Sequence, residues 1–279
     1  MSVQDFRRPA IVSRRKGGAK AASKGRYQEH NSTQADNMTH WISEQATQYW
    51  VEANQILRIL RHAVPREATR SHEVAIAGSF ALHQYQDREK VGPQWGNGPK
   101  DVPSDVDVFV CGKYGKSDEA FLGFMRALEL RLLATGHAFE LLVKNCSYVH
   151  RGRRIWMHNI RFHRMKQVVS FIQCPHSTIE DTVRYFDINV CHVAYHIHED
   201  RCWVRTPSVA WHIRHGKALA GSIRFDPQEG GPTKHDRAKV ANTLRRIQKY
   251  RHRGFHFVNC SGVSFHCPEW DGLPFPHDP

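Results

Sequence analysis

"SDVDVFV", Ser104 to Val110, is the stretch on which the reading of this chain turns. Three valines and a phenylalanine read as a buried strand. Yet Asp105 and Asp107 sit in it, two residues apart. Side chains at i and i+2 share one face of a strand, roughly 7 Å apart along its axis. Two bare carboxylates that close repel one another, and more strongly when partly shielded from water. Something must offset that repulsion. A divalent cation does so, because Mg²⁺ takes a few carboxylates together with waters and phosphate oxygens.

Composition narrows the partners. The chain has 279 residues, 40% apolar, which suffices for one large domain or two small ones. No apolar run approaches the length of a membrane span, so no membrane partner is expected. The formal charge of +13 favours contact with polyanions: nucleoside triphosphates and nucleic acid. Seven cysteines, an odd number without a CxxC pair, argue against a disulfide framework. An intracellular, reducing compartment is expected, cytoplasm or nucleus. The histidines and cysteines also raise zinc, through Cys174 with His176, or His196 and His198 with Cys202. Neither set has the paired spacing of a structural zinc site.

Three regions are expected. Residues 1–38, including "RRPAIVSRRKGGAKAASKGR", read as a disordered basic arm. It suits nucleic-acid binding, a nuclear signal or an organellar transit peptide. Residues 39–205 read as a catalytic domain and 206–279 as a helical basic C-terminal region. Within the domain, Ile42, Ala46, Tyr49, Trp50, Ala53, Ile56, Leu57 and Leu60 recur at helical spacing, with Thr39 ahead as a cap. "EVAIAG" reads as a strand and "SFALHQYQ" as a helix from Ser79. A Gly/Pro-rich loop leads to the aspartate strand. "DEAFLGFMRALELRLLATG" is an amphipathic helix ending at Gly136. "ELLVK", "RIWMHNIRF" and "QVVSFIQ" read as strands, "TIEDTVRYF" as a helix capped by Ser177, and "FDINVCHVAYHI" as a strand beginning near Asp187. The fold class is α/β (α+β), a mixed sheet flanked by helices.

Three pieces then line up. Gly78-Ser79 ends a strand just before a helix, whose free N–H groups favour phosphate. Asp105 and Asp107 can share divalent cations. Asp187 is a third carboxylate at the start of a later strand. Together "AGSFALH", "SDVDVFV" and "FDINV" resemble the DNA polymerase β superfamily of nucleotidyltransferases, over about Glu73 to His198. The order "QVVSFIQ" then "FDINV" is similar to the poly(A) polymerase branch. The resemblance implies that Gly78 and Ser79 contact a triphosphate, and that Asp105, Asp107 and Asp187 hold Mg²⁺ or Mn²⁺ and carry the catalysis. The interval between Ser79 and Asp105 is longer than is usual in that family, so "REKVGPQWGNGPKDVP" is expected as an insert at the site mouth.

The last basic helix, "KHDRAKVANTLRRIQKYRHRGF", offers Lys249 and Arg253 for nucleotide contact, with Val240, Leu244 and Ile247 expected to face the protein. The leading expectation is nucleotidyl transfer from an NTP to a hydroxyl acceptor, nucleic acid by charge. The competing one is an inactive protein of the same fold that binds nucleic acid or serves in assembly. A zinc-dependent binding protein is the third.

Overall fold

The computed structural model describes residues 48–93, 103, 105–150, 153–220 and 234–258, with backbone alone at 143–150, 153–154 and 234–240. The basic arm, Thr39 and most of the Gly/Pro-rich insert lie outside them. The described residues all belong to one unit, Ile42–Pro279.

Helix α1 (48–63) buries Ala53, Ile56 and Leu60 completely. The helix α2 (Arg66–Arg70) leads into strand β1 (Val74–Ala77). Helix α3 (Ser79–Glu89) follows at once and ends with Lys90 in the left-handed conformation. Strand β2 (Asp105–Val110) carries the two aspartates. A short helix α4 (Gly112–Gly115) precedes α5 (Asp118–Ala134), whose first turn is capped by the Ser117 side chain accepting from Ala120 N–H. Strands β3 (Phe139–His150), β4 (Arg153–Phe162) and β5 (Val168–Gln173) come next. The helix α6 (Ile179–Val183) is capped by Thr178, not Ser177. Only Thr178 sits at the boundary where its oxygen accepts from Asp181 N–H.

The expected strand from Asp187 onward is mostly absent. Asp187 lies in a bend, Asn189–Cys191 form a 3₁₀ turn, and the strand β6 is only Val193–His196. The reason is a local alternative for the backbone. Asn189 exchanges bonds with the chain at Leu219, donating its N–H to Leu219 C=O and accepting Leu219 N–H on its side chain. Those bonds hold the segment against the C-terminal region rather than in the sheet. Strand β7 (Arg201–Val204) returns antiparallel to β6. Helix α7 (Pro207–Arg214), capped by Thr206, leads to β8 (Lys217–Ala218). Helix α8 (Lys234–His252) and strand β9 (His256–Phe257) close the described chain, with β8 and β9 parallel.

Seven strands form one mixed sheet in the order β3-β4-β5-β2-β1-β6-β7. Only β2 and β5 run parallel; the other neighbours are antiparallel. This is the mixed α/β architecture expected from the sequence. On one sheet face Val106, Val108, Val110, Ile76, Val169, Phe171 and Tyr195 are fully covered by α1, α3 and α5. On the other, Ala75, Ala77 and Ala194 pack under Ile179 and Val183 of α6, with Phe109, Phe186 and Trp203 at the margin. Small residues here let α6 lie close to the sheet. The aspartates share this second face, and β2 alternates strictly between half-buried and buried positions.

Candidate functional site

Asp107 sits in the middle of the sheet. It is level with Ala77 of β1 on one side and Ser170 of β5 on the other. Asp105, two residues back, is level with Val168. The next residue after Ala77 is Gly78, which caps α3 without a side chain. Gly78 adopts φ 78° and ψ −146°, a conformation that L side chains rarely take. A Cβ placed on Gly78 would stand 3.8 Å from Asp107 Oδ2. The N-terminus of α3 and the aspartate pair therefore border one space. No acid occupies the first turn of α3, so nothing on that helix competes for its N–H groups. Ser79 is the first helical residue and is half-buried.

Burial drives the Asp107 carboxyl up to about 7, and the neighbouring Asp105 charge adds to the rise. Lys249 and Arg246 of α8 act in the opposite sense. For Asp107 these cations do not offset burial and the Asp105 charge. Lys249 is exposed, yet desolvation and the Arg253 cation still hold its ammonium below the usual lysine range. Asp105 and Asp107 oppose that shift.

Asp187 is placed differently from its expected role. Its two oxygens accept from Thr243 Oγ1 at 2.7 Å and Arg246 Nη1 at 2.6 Å. Burial disfavours the Arg246 charge, but the Asp187 carboxylate outweighs it and raises the guanidinium above its usual range. Among the described residues, the one group of three or more His, Cys, Asp or Glu with ligand atoms all within 4.8 Å of one another is His72, Glu180 and His196. Asp105, Asp107 and Asp187 are thus not gathered that tightly. Arg246 is the link, since it binds Asp187 and its charge reaches Asp107.

Arg253 is also displaced from its expected place. It is 1% exposed, with its guanidinium over the Tyr250 ring at 5.4 Å. Its charge acts on buried Tyr49 and His83, the latter pushed down to about 4 by burial and then by Arg253. Arg253 is therefore buried, though its charge still reaches Lys249 and Asp105, whereas Lys249 and Arg246 are exposed.

The orientation of α8 explains both outcomes. Thr243, Ile247, Tyr250 and Arg253 are its buried stripe, while Leu244 is 50% exposed. Of the expected apolar face, Ile247 is buried, Leu244 is not, and the Val240 side chain lies outside the described ones. Arg246 and Thr243 were the functional side chains hidden in the sequence. Their spacing of three, continued by Tyr250 and Arg253, is the helical signal for them. A threonine and an arginine in a buried stripe mask it. Below the stripe, the Cys191 thiol donates to Tyr250 Oη at 3.0 Å and ties α8 to the 3₁₀ turn.

The oxygen-only pair Asp105 and Asp107 fits a hard divalent cation, Mg²⁺ or Mn²⁺, and the unbalanced charge on Asp107 is what such an ion would relieve. Among the described residues no helix is long and apolar enough to cross a membrane. Compared with known proteins, the chain matches no family model and no curated relative.

Proposed function

We propose that the chain is a metal-dependent nucleotidyltransferase that moves a nucleoside monophosphate from an NTP to a hydroxyl acceptor on nucleic acid. The observation that carries this reading is the approach of Gly78, at the head of α3, to Asp107 Oδ2. It sets a phosphate-favouring helix start against a carboxylate pair, with Lys249 and Arg246 adding cations beside them. The acceptor oxygen bonds to the α-phosphorus, the bond to the β-phosphate oxygen breaks, and pyrophosphate leaves. Asp105 and Asp107 hold the metal, which when bound neutralises the phosphate charge that grows along this path. Gly78 and Ser79 present backbone N–H groups to the triphosphate. Arg246 and Lys249 bind its outer charge. A triphosphate that takes the Arg246 guanidinium frees the Asp187 carboxylate, which then accepts the proton of the attacking hydroxyl.

One observation favours the other reading, a non-catalytic protein of this fold. Asp187 is already satisfied by Arg246 and Thr243. A permanent ion pair there would leave the site without its third acid. Labelled NTP, Mg²⁺ or Mn²⁺ and an RNA or DNA oligonucleotide separate the two. Wild type should extend or tag the oligonucleotide, and an Asp105→Ala/Asp107→Ala variant should not. Equal products from both, or none from wild type with any NTP or acceptor, would refute the enzyme.

A further inference from the structure

A second cluster lies on the same sheet face, away from the aspartates. Ala77 is level with both Asp107 and Ala194, and His196 lies two residues further along β6. His196 ends β6 and is 0% exposed. Neither of its ring nitrogens has a hydrogen-bond partner. A buried imidazole left unsatisfied costs stability, so a site with two open nitrogens points to a missing ligand.

The groups facing His196 supply the rest. The His72 ring lies 4.6 Å from the His196 ring at 49°. His72 Nδ1 meets Glu180 Oε1 at 2.5 Å. One ligand atom from each of the three lies within 4.8 Å of the others. Each comes from a fixed element: His72 from the turn after α2, Glu180 from the first turn of α6, and His196 from the end of β6. The turn and α6 are joined, because Ile179 N–H donates to His72 C=O at 2.9 Å. His72 holds a left-handed backbone, φ 58°, which is costly for a non-glycine residue.

We propose that His72, Glu180 and His196 form a zinc site. Two imidazoles and one carboxylate are a Zn²⁺ donor set, whereas the oxygen-only Asp105 and Asp107 pair suits Mg²⁺. The side chains of His72 and Glu180 are 35% and 21% exposed, so the fourth position faces solvent and takes water. The ion links α6, the α2–β1 turn and strand β6, the last but one in the sheet. It thereby pins α6 over the face that carries Asp107. The cysteines considered from the sequence are not part of it. His198 instead bonds Val64 C=O through Nε2 at 2.9 Å.

The test uses the full chain carrying Asp105→Ala/Asp107→Ala, so that the second cation site does not contribute. After chelation, Zn²⁺ uptake is titrated against a chromophoric chelator, and Co²⁺ is added in parallel for its visible spectrum. The expected result is one equivalent per chain, with tetrahedral Co²⁺ bands. His196→Ala should weaken Zn²⁺ by at least about tenfold, and so should the milder His72→Ala, whose side chain is partly exposed. Glu180→Gln should weaken it too, and His198→Ala should not. Should His196→Ala fail to fold, His72→Ala and the Co²⁺ bands still decide. No stoichiometric uptake by the Asp105→Ala/Asp107→Ala chain, or equal affinity once His72→Ala is added to it, overturns the site.

Discussion

At the scale of one residue, the proposed chemistry rests on Asp107. Its carboxyl is ordinary at 3.8 in an unfolded chain and about 7 in the fold. The folded state therefore holds the proton more tightly. Stability from this group is present at acid pH and is lost as pH rises from about 4 to about 7. Chelator-treated protein should melt lower at pH 7 than at pH 5. Asp107→Asn should flatten that dependence and raise the melting temperature at neutral pH, and Mg²⁺ should stabilise wild type there but not the variant. Thermal melts across pH read all three. Gly78 makes an independent residue-scale prediction. Gly78→Ala keeps clear of the Asp107 carboxylate by 3.8 Å but forces a side chain into a glycine conformation. Denaturant unfolding should show a loss of about 1–3 kcal/mol. The aspartate pair was legible because two like charges in an apolar strand have few structural uses. Gly78 was legible because a strand-to-helix junction needs its backbone freedom.

Elements were legible where periodicity and burial agree. Strand β1, helix α3, strand β2 and helix α5 lie where the apolar run, the Gly78-Ser79 junction, the aspartate strand and the amphipathic stretch put them. Two elements were not, for distinct reasons. The stretch after Asp187 has strand-forming residues, but Asn189 bonds to Leu219 and turns it into a 3₁₀ segment. Such a partner, thirty residues on, leaves no local signal. On helix α8 Ile247 is buried as expected, but Leu244 is the more apolar choice and Thr243, which bonds Asp187, takes the buried position beside it. Arg246, three residues on, reaches the same carboxylate. Its bond to Asp187 is half in solvent, so Arg246→Ala should cost only about 1 kcal/mol in denaturant unfolding. Its effect on the reaction should be larger, with KM for the NTP rising about tenfold. A variant as stable as predicted but with unchanged KM would remove Arg246 from triphosphate binding.

For the whole molecule, the two sheet faces divide the work. One face is a hydrophobic floor, fully covered by α1, α3 and α5. The other holds α6, the aspartate pair and the His72–Glu180–His196 cluster. The net charge of +13 is consistent with an anionic partner at such a face. The His72–Glu180–His196 cluster was not legible in the sequence, because His72 lies more than a hundred residues from the other two and only packing brings it to them. In the proposed reaction Asp105 and Asp107 receive a metal-bound triphosphate at the head of α3. Calorimetric titration with Mn²⁺ and a non-hydrolysable NTP analogue measures this most directly. Binding should be saturable and need the metal, weakened at least about tenfold in Asp107→Asn and unchanged in Asp118→Asn on helix α5. Equal affinity in wild type and Asp107→Asn, or none in either, would contradict it.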